Sequence, residues 1–420
     1  MREMKDSGIA SFGFIPDTWK ITKLKTILAL RSEKNSGDRE LLSVYLNSGV
    51  ISYSDSTGMQ VHKPSQDLSN YQNVYIGDFV LNNQQAWRGS VGVSNYDGII
   101  SPAYFVYKIS ESCHSRFMNY LLRDSSMVQQ YETASRGVGT IQRNIFAPWL
   151  LESLIALPSF EEQKIIATYL DTRCAEIDTL VTDIQSQIEV LEEYKRSVIT
   201  EAVTKGLDPD VEMRDSGIAW VGDIPAHWIT HPLYFYFGAR KNKNALGLET
   251  NLLSLSYGKI IRKDINSNGG LLPESFNTYN IIEKDDIIIR PTDLQNDKRS
   301  LRTGIAREHG IITSAYIAMK AIKSVNPEYF HYLLHAYDVM KVFYNMGNGV
   351  RQGLNFSEFS RLMVFEPTIE EQNAIVEYLK EKCDEIDLAI AEKKQQIETI
   401  EEYKKSLIFE YVTGKKEVQA

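Results

Sequence analysis

The sequence repeats itself at a constant offset of 209 residues, and an internal repeat restricts a fold more tightly than any composition does. Met4-Lys5-Asp6-Ser7-Gly8-Ile9-Ala10 returns as Met213-Arg214-Asp215-Ser216-Gly217-Ile218-Ala219, and the match runs on through Gly13/Gly222, Ile15-Pro16/Ile224-Pro225 and Trp19/Trp228. From Met4 to Leu24, 11 of 21 positions are identical at that offset, and from Pro158 to Thr204 a second block matches at 23 of 47. The stretches between, Lys25 to Leu157 and Tyr234 to Glu366, scarcely match. The chain is therefore two copies of a frame, each enclosing its own insert. This arrangement suits two modules that share a scaffold and read different things. At 420 residues it has room for two to four units with real cores. The repeat divides it into a first module with its entry segment (1–157), a long helical block (158–206), a second module with linker and entry segment (207–366), and a second helical block with a tail (367–420).

The second repeated block reads as a long helix. Ser159 with Glu162, and Thr368 with Glu371, form capping boxes. Downstream, apolar residues recur at spacings of three and four: Leu170, Cys174, Ile177, Val181, Ile184, Ile188, Leu191 and Val198 in one copy, with Lys195 interrupting. The other copy runs Leu379, Cys383, Ile386, Ile390, Ile397, Ile400 and Leu407, interrupted at Lys393 and Lys404. This is a heptad-type seam, stopped just beyond by Gly206 and Gly414. About 44 residues at ~1.5 Å each give a rod of roughly 65 Å. One such rod cannot bury its seam, whereas two in one chain can bury each other as an intramolecular antiparallel pair; a homodimeric coiled coil is the competing arrangement. Cys174 and Cys383 belong to the seam as small core residues. In the first repeated block, Gly-x-Ile-Pro-x-x-Trp reads as a turn and an extended entry, with Trp19 and Trp228 as core anchors, and Asp208-Pro209-Asp210 marks the linker between halves. The fold class expected is α+β: two tandem α/β modules separated by two long antiparallel coiled-coil helices, with an internal pseudo-two-fold repeat.

Each insert mixes strands and a helix. Leu41–Leu46, Asp78–Leu81 and Tyr104–Lys108 are strand-like in the first, and Leu252–Leu255, Ile287–Ile289 and Ala315–Met319 take similar places in the second. Helices follow at Ser115–Leu122 and at Pro327–Leu334, the latter continuing toward Met340. Gly98-Ile99-Ile100-Ser101 beside Gly310-Ile311-Ile312-Thr313 hints at a shared fold. The formal charge of −9 argues mildly against nucleic acid, but residues 160–205 and 369–413 together carry −11, leaving +2 elsewhere. Three polar loop groups recur in both inserts. The first comprises Arg31, Lys34 and Asn35, matched by Arg240, Lys241 and Lys243. The second comprises Gln84, Gln85 and Arg88, matched by Arg290, Gln295, Lys298, Arg299 and Arg302. The third is Gly-rich, with Arg136, Thr140, Gln142 and Arg143 beside Asn348, Arg351 and Gln352. Arginine reads guanine, Asn or Gln reads adenine, and Lys and glycine-loop amides hold phosphates.

The chemistry of catalysis is missing. There is no Asn/Asp-Pro-Pro-aromatic motif, no Gly-x-x-x-x-Gly-Lys-Ser/Thr loop and no His-Glu-x-x-His; Asn326-Pro327-Glu328-Tyr329 reads as a helix start. His331 and His335 are four apart with no third ligand in view, so no metal is expected. Three cysteines make neither a disulfide framework nor a four-cysteine zinc site. No apolar run approaches the ~18–20 residues of a membrane span, and the mixed-charge start is not a signal peptide, so no membrane partner is expected and the expected location is the cytoplasm.

The Lys5-Asp6-Ser7-Gly8-Ile9 to Pro16 and Trp19 segment, the Gly-rich Gln/Arg/Asn loop and the Pro-x-x-Glu-Glu-Gln helix openings each occur twice, and their recurrence in two half-length copies spans essentially the whole chain. In this combination the chain resembles the specificity subunit of a type I restriction-modification system. The resemblance implies two target recognition domains, each reading half of a split, asymmetric double-stranded DNA site, with the loop residues above as DNA-binding candidates. It implies assembly with two modification (methyltransferase) subunits that use S-adenosylmethionine and with restriction (translocase/nuclease) subunits that use ATP and Mg, this chain binding no cofactor and catalysing nothing. The alternative is a non-catalytic coiled-coil scaffold with two protein- or RNA-binding modules.

Overall fold

The computed structural model describes residues 2–35, 37–56, 64–138, 142–218, 220–265, 273, 275–292, 301–344, 346 and 353–419. Its helices are α1 (Ser115–Arg123), α2 (Ser125–Thr133), α3 (Ala147–Glu152), α4 (Phe160–Lys205), α5 (Pro327–Val339), α6 (Phe356–Phe359) and α7 (Ile369–Val412). The chain forms two compact units, Met1–Ile184 with Gln395–Ala420, and Gln185–Lys394, so both long helices pass from one unit into the other.

The first unit holds an antiparallel four-stranded sheet in the spatial order Leu28–Leu30, Tyr104–Ile109, Asp78–Asn82, Val91–Val93. Phe79, Leu81 and Tyr107 from this sheet, with Phe117, Leu121 and Tyr131 of α1 and α2, make the main core, which Trp19 anchors at 1% exposure. On the opposite sheet face, Val80 and Val106 pack with Leu42, Val44, Val50, Val74 and Ile100. These last residues come from two antiparallel strand pairs, Leu42–Tyr45 with Gly49–Ser52 and Gln72–Val74 with Gly98–Ile100. The alternation of strand side chains thus buries both faces.

The second unit repeats this order as Phe237–Ala239, Ile317–Ala321, Ile287–Ile289, Thr303–Ile305, all antiparallel. The strand pairs recur too, Leu253–Ser256 with Lys259–Arg262 and Asn280–Ile282 with Gly310–Ile312. Each strand run read from sequence lies in a strand, with ends shifted by one or two residues. The Gly-Ile-Ile echo has a steric cause. A Cβ on Gly98 would lie 2.5 Å from the Glu40 carbonyl oxygen, and one on Gly310 would lie 2.5 Å from that of Asn251. At both places a neighbouring chain crosses too closely for any other residue.

The seam is buried at Leu170, Cys174, Ile177, Ile184, Ile188, Val198, Leu379, Cys383, Ile386, Ile390 and Leu407 and half-buried at Val181, Leu191, Ile397 and Ile400, and the pairing is antiparallel in each unit. In the first unit the Tyr169 and Tyr411 rings meet at a tilt of 41° with centres 4.6 Å apart, and Lys404 Nζ lies 2.5 Å from Asp178 Oδ1. In the second, Lys393 Nζ donates to Gln187 Oε1 at 2.5 Å, and Lys195 Nζ lies 2.6 Å from Asp387 Oδ1. Asp178–Lys404 and Lys195–Asp387 are one interaction exchanged by the repeat, so Lys195 and Lys404, which interrupt the apolar seam, are cross-helix ion-pair positions, whereas Lys393 bonds the neutral Gln187. Cys174 and Cys383 are buried, unpaired thiols, and burial raises the pKa of both. The fold is α+β, two α/β modules with an antiparallel pair of long helices. No helix among the described residues is long and apolar enough to cross a membrane.

The helix starts differ from expectation in one respect. Thr368 and Glu371 form both arms of the capping box, at 3.2 and 2.9 Å. At Ser159 only one arm forms, Glu162 N to Ser159 Oγ at 3.2 Å. The Glu162 carboxylate accepts instead from Arg2 at 2.6 Å and from Trp19 Nε1 at 3.1 Å, a stronger charged pairing than the backbone N–H offers.

Candidate nucleic-acid interface

The first loop group is divided between internal support and surface. Arg31 donates from Nε and Nη2 to the two oxygens of Asp78 at 2.7 and 3.0 Å, and Arg240 donates likewise to Asp286 at 2.8 and 2.8 Å. Both carboxylates are buried, and each also accepts a backbone N–H, from Tyr75 and Glu283 respectively. The bidentate pairing raises the pKa of both guanidinium groups, chiefly through these hydrogen bonds. This pair is a clamp joining the edge strand to the start of a central strand; each arginine turns Nε and Nη2 inward, and Arg31 Nη1 also donates to the exposed Glu33 at 2.9 Å. Asn35 bonds Leu68 O at 3.3 Å and caps Gly37 N at 3.1 Å, and Lys34 reaches Asn70 Oδ1 at 3.2 Å. Lys243 bonds Thr278 O at 2.9 Å, and Lys241 is exposed.

The second and third groups come together in the first unit. Gln84, Gln85 and Arg88 lie on a turn where Asn82 Oδ1 accepts from Gln84 N at 3.0 Å and Asn82 O from Gln85 N at 3.1 Å. Gly89, at φ +102°, closes it as the left-handed residue. This turn meets an antiparallel hairpin, Ser135–Val138 with Gln142–Ile145, through Ile145 N to Asn83 O at 3.0 Å. Arg88 lies 4.6 Å and Arg143 5.3 Å from the Trp87 ring, and Arg143 also pairs with Glu132 at 2.8 Å. Arg136 lies 3.4 Å from the Phe146 ring centre and 4.2 Å from that of Trp149. Gln142 lies in the hairpin's second strand, and Thr140 is outside the described residues.

In the second unit Arg290 is exposed, whereas Arg302 is 6% exposed and donates to the carbonyls of Arg290 and Thr292. Its backbone N–H goes to Asp338 Oδ2 at 2.7 Å. Gln295, Lys298, Arg299, Asn348, Arg351 and Gln352 lie outside the described residues. The recurring loops are thus three groups by sequence but, in the first unit, one joined surface plus a separate strand edge.

Sequence reasoning missed the aspartates that hold Arg31 and Arg240, 47 and 46 residues away. It also missed Phe146 and Trp149, the latter 47% exposed, large for a tryptophan with no burial role. A further missed cluster is His309, whose Nδ1 lies 3.0 Å from Glu283 and Nε2 2.7 Å from Glu249. Two acceptor-only neighbours require both ring nitrogens to carry protons, and the Glu283 hydrogen bond leads in raising its pKa. His331 and His335 behave oppositely, with desolvation lowering them to about 3 and about 4. No group of three His, Cys, Asp or Glu side chains able to hold a metal occurs among the described residues.

The two units share one strand order, and each contains part of both long helices. The sequence is 25% identical over 427 residues to a Methanocaldococcus jannaschii protein named as the MjaX specificity subunit of a type I restriction enzyme, covering 96% of this chain and 95% of that one. It is 25% identical over 317 residues to the type I restriction enzyme MjaVIII specificity subunit of the same organism, covering 71% and 69%. The fold matches a solved structure described as the basis of complex assembly and conformational transition of the type I restriction-modification system, with a TM-score of 0.67, 15% identity and coverage of 95% and 98%. No family model matches. Over nearly its whole length the chain is thus similar to a protein named as a type I restriction enzyme specificity subunit, and it shares the fold of the solved type I structure.

Proposed function

We propose that this chain reads a split, asymmetric double-stranded DNA site, with residues 1–157 and 207–366 as target recognition domains for one half each. The helical blocks 158–206 and 367–420 set the unread gap and dock two modification subunits, which methylate adenine with S-adenosylmethionine. Restriction subunits using ATP and Mg complete the assembly in the cytoplasm. The observation that carries this reading is that strand order and buried clamp recur in both units while the loop residues do not. A shared frame with unlike loops suits two unlike half-sites and a non-palindromic target. Modules docked on one face of DNA place half-site centres about one helical turn apart.

The test is methylome sequencing of a host expressing the chain with its modification subunit, against a host without it. The expected result is a new N6-methyladenine motif split by a fixed gap, of which exchanging residues 234–366 alters one half only. With assembly verified, absence of any new motif overturns the DNA reading in favour of a protein- or RNA-binding scaffold. A heptad inserted into both long helices should alter the gap and spare the half-sites.

A further inference from the structure

The hairpin Ser135–Val138/Gln142–Ile145 has two unequal faces. Its register sets Arg136 opposite Asn144, and Gly137 opposite Arg143, with Ser135 opposite Ile145. Opposed residues of an antiparallel pair share a face. Ile145 is buried and Arg143 is tied to Glu132 and Trp87, so that face turns inward. Arg136 and Asn144, both exposed, share the outward face.

Arg136 is also pinned. Phe146 and Trp149 meet edge to face at 79°, and the guanidinium sits in their corner. No described side chain or carbonyl accepts a hydrogen bond from it, so the N–H fork is held in place with its donors open. An arginine stacked on aromatic rings loses rotamer freedom in advance, and a bidentate acceptor gains what that freedom would have cost. The major groove admits a two-stranded ribbon, and there arginine matches the O6/N7 edge of guanine and asparagine the N6/N7 edge of adenine.

We infer that this ribbon enters the major groove at the first half-site, with Arg136 reading a guanine, Asn144 reading an adenine beside it, and Phe146 and Trp149 as positioning residues. The inference rests on the proposed DNA reading and adds to it which letters the first module selects.

The test is selection from randomised duplexes by the purified complex of the full chain with its modification subunits, followed by binding titrations at several salt concentrations. Exchange of residues 234–366 identifies which half belongs to the first module. In that half Arg136→Ala should abolish the preference for one guanine and Asn144→Ala that for an adjacent adenine. Each should weaken binding to the selected duplex on the order of 10–100-fold and leave the other half intact. Trp149→Ala should weaken binding while selecting the same letters, and Trp149→Phe should restore it. Thermal unfolding of each variant separates loss of fold from loss of contact.

If Arg136→Ala weakens all duplexes alike and lowers the salt slope by about one, the residue holds a phosphate and the base-reading inference fails. Unchanged letters with unchanged affinity overturn it as well. A wild-type complex that selects no split sequence overturns the DNA reading itself, whereas a selecting wild type with indifferent variants overturns only this inference.

Discussion

The two units agree where they are buried and differ where they face solvent. Arg31–Asp78 and Arg240–Asp286 are the same clamp to within 0.2 Å. Gly98 and Gly310 are required by the same crossing. At the surface, by contrast, the first unit builds Trp87, Phe146 and Trp149 into an arginine-bearing face, while the second turns Arg302 inward and carries the Glu249–His309–Glu283 bridge. The shared buried core, pairs and close crossings hold the frame, and this frees the exposed loops to diverge.

The strongest challenge to that comparison is to remove the clamp. Asp78→Ala and Asp286→Ala each remove the buried carboxylate from a largely enclosed guanidinium, leaving Arg31 only the exposed Glu33, and each should cost about 3–5 kcal/mol in chemical unfolding; a clearly smaller loss for Asp78→Ala would show that Glu33 takes over part of the clamp. Next come the glycines that end α4 and α7. A Cβ on Gly414, at φ +74°, would collide with the Pro16 ring, whereas one on Gly206, at φ +76°, meets Trp228 at 3.3 Å. Gly414→Ala should therefore cost about 3 kcal/mol and Gly206→Ala about 1–2 kcal/mol, measured as shifts in unfolding midpoint. The seam pairs should matter less: Lys195→Met and Lys404→Met should each change stability by roughly 1 kcal/mol or less, and equally, because both pairs remain partly solvated.

The smallest effect should be confined to the second unit. His309 has a folded-state pKa above its ordinary 6.5, so protonation favours folding. Its contribution is complete below pH 6.5 and fades as pH rises through the raised value. His309→Asn should flatten that dependence, and the imidazole should titrate above the usual histidine range by NMR. The first unit has Asp97 in the corresponding turn, bonded to Ile76 N at 2.8 Å, and should show no such fade.

Much of the frame was legible from spacing alone. Leu170, Cys174, Ile177, Ile184 and Ile188, and Leu379, Cys383, Ile386 and Ile390, are all buried as a three-four periodicity requires. The loops were legible as polar but not as to purpose. Arg31 is chemically suited both to a guanine and to an aspartate, and only the fold brings Asp78 beside it. The same holds for Glu162, a capping residue by spacing, which the fold places against Arg2 and Trp19. Phe146 and Trp149 gave no periodic signal, because they belong to a hairpin end and one short helix.

The first unit is made from both ends of the chain, with Leu407, Tyr411 and Val412 in its core beside Trp19 and Leu170. The second unit is continuous in sequence. During synthesis the order of completion is therefore the reverse of the order of emergence. The amino-terminal module leaves the ribosome first, yet its closing residues arrive some two hundred positions later, a wait of roughly 10–45 s at ~5–20 residues per second. Throughout that interval the seam around Leu170 and Ile177 lacks its partner. The nascent protein is most open to aggregation or protease attack in its oldest part, and removal of residues 395–420 should injure the unit formed mainly by residues 1–184.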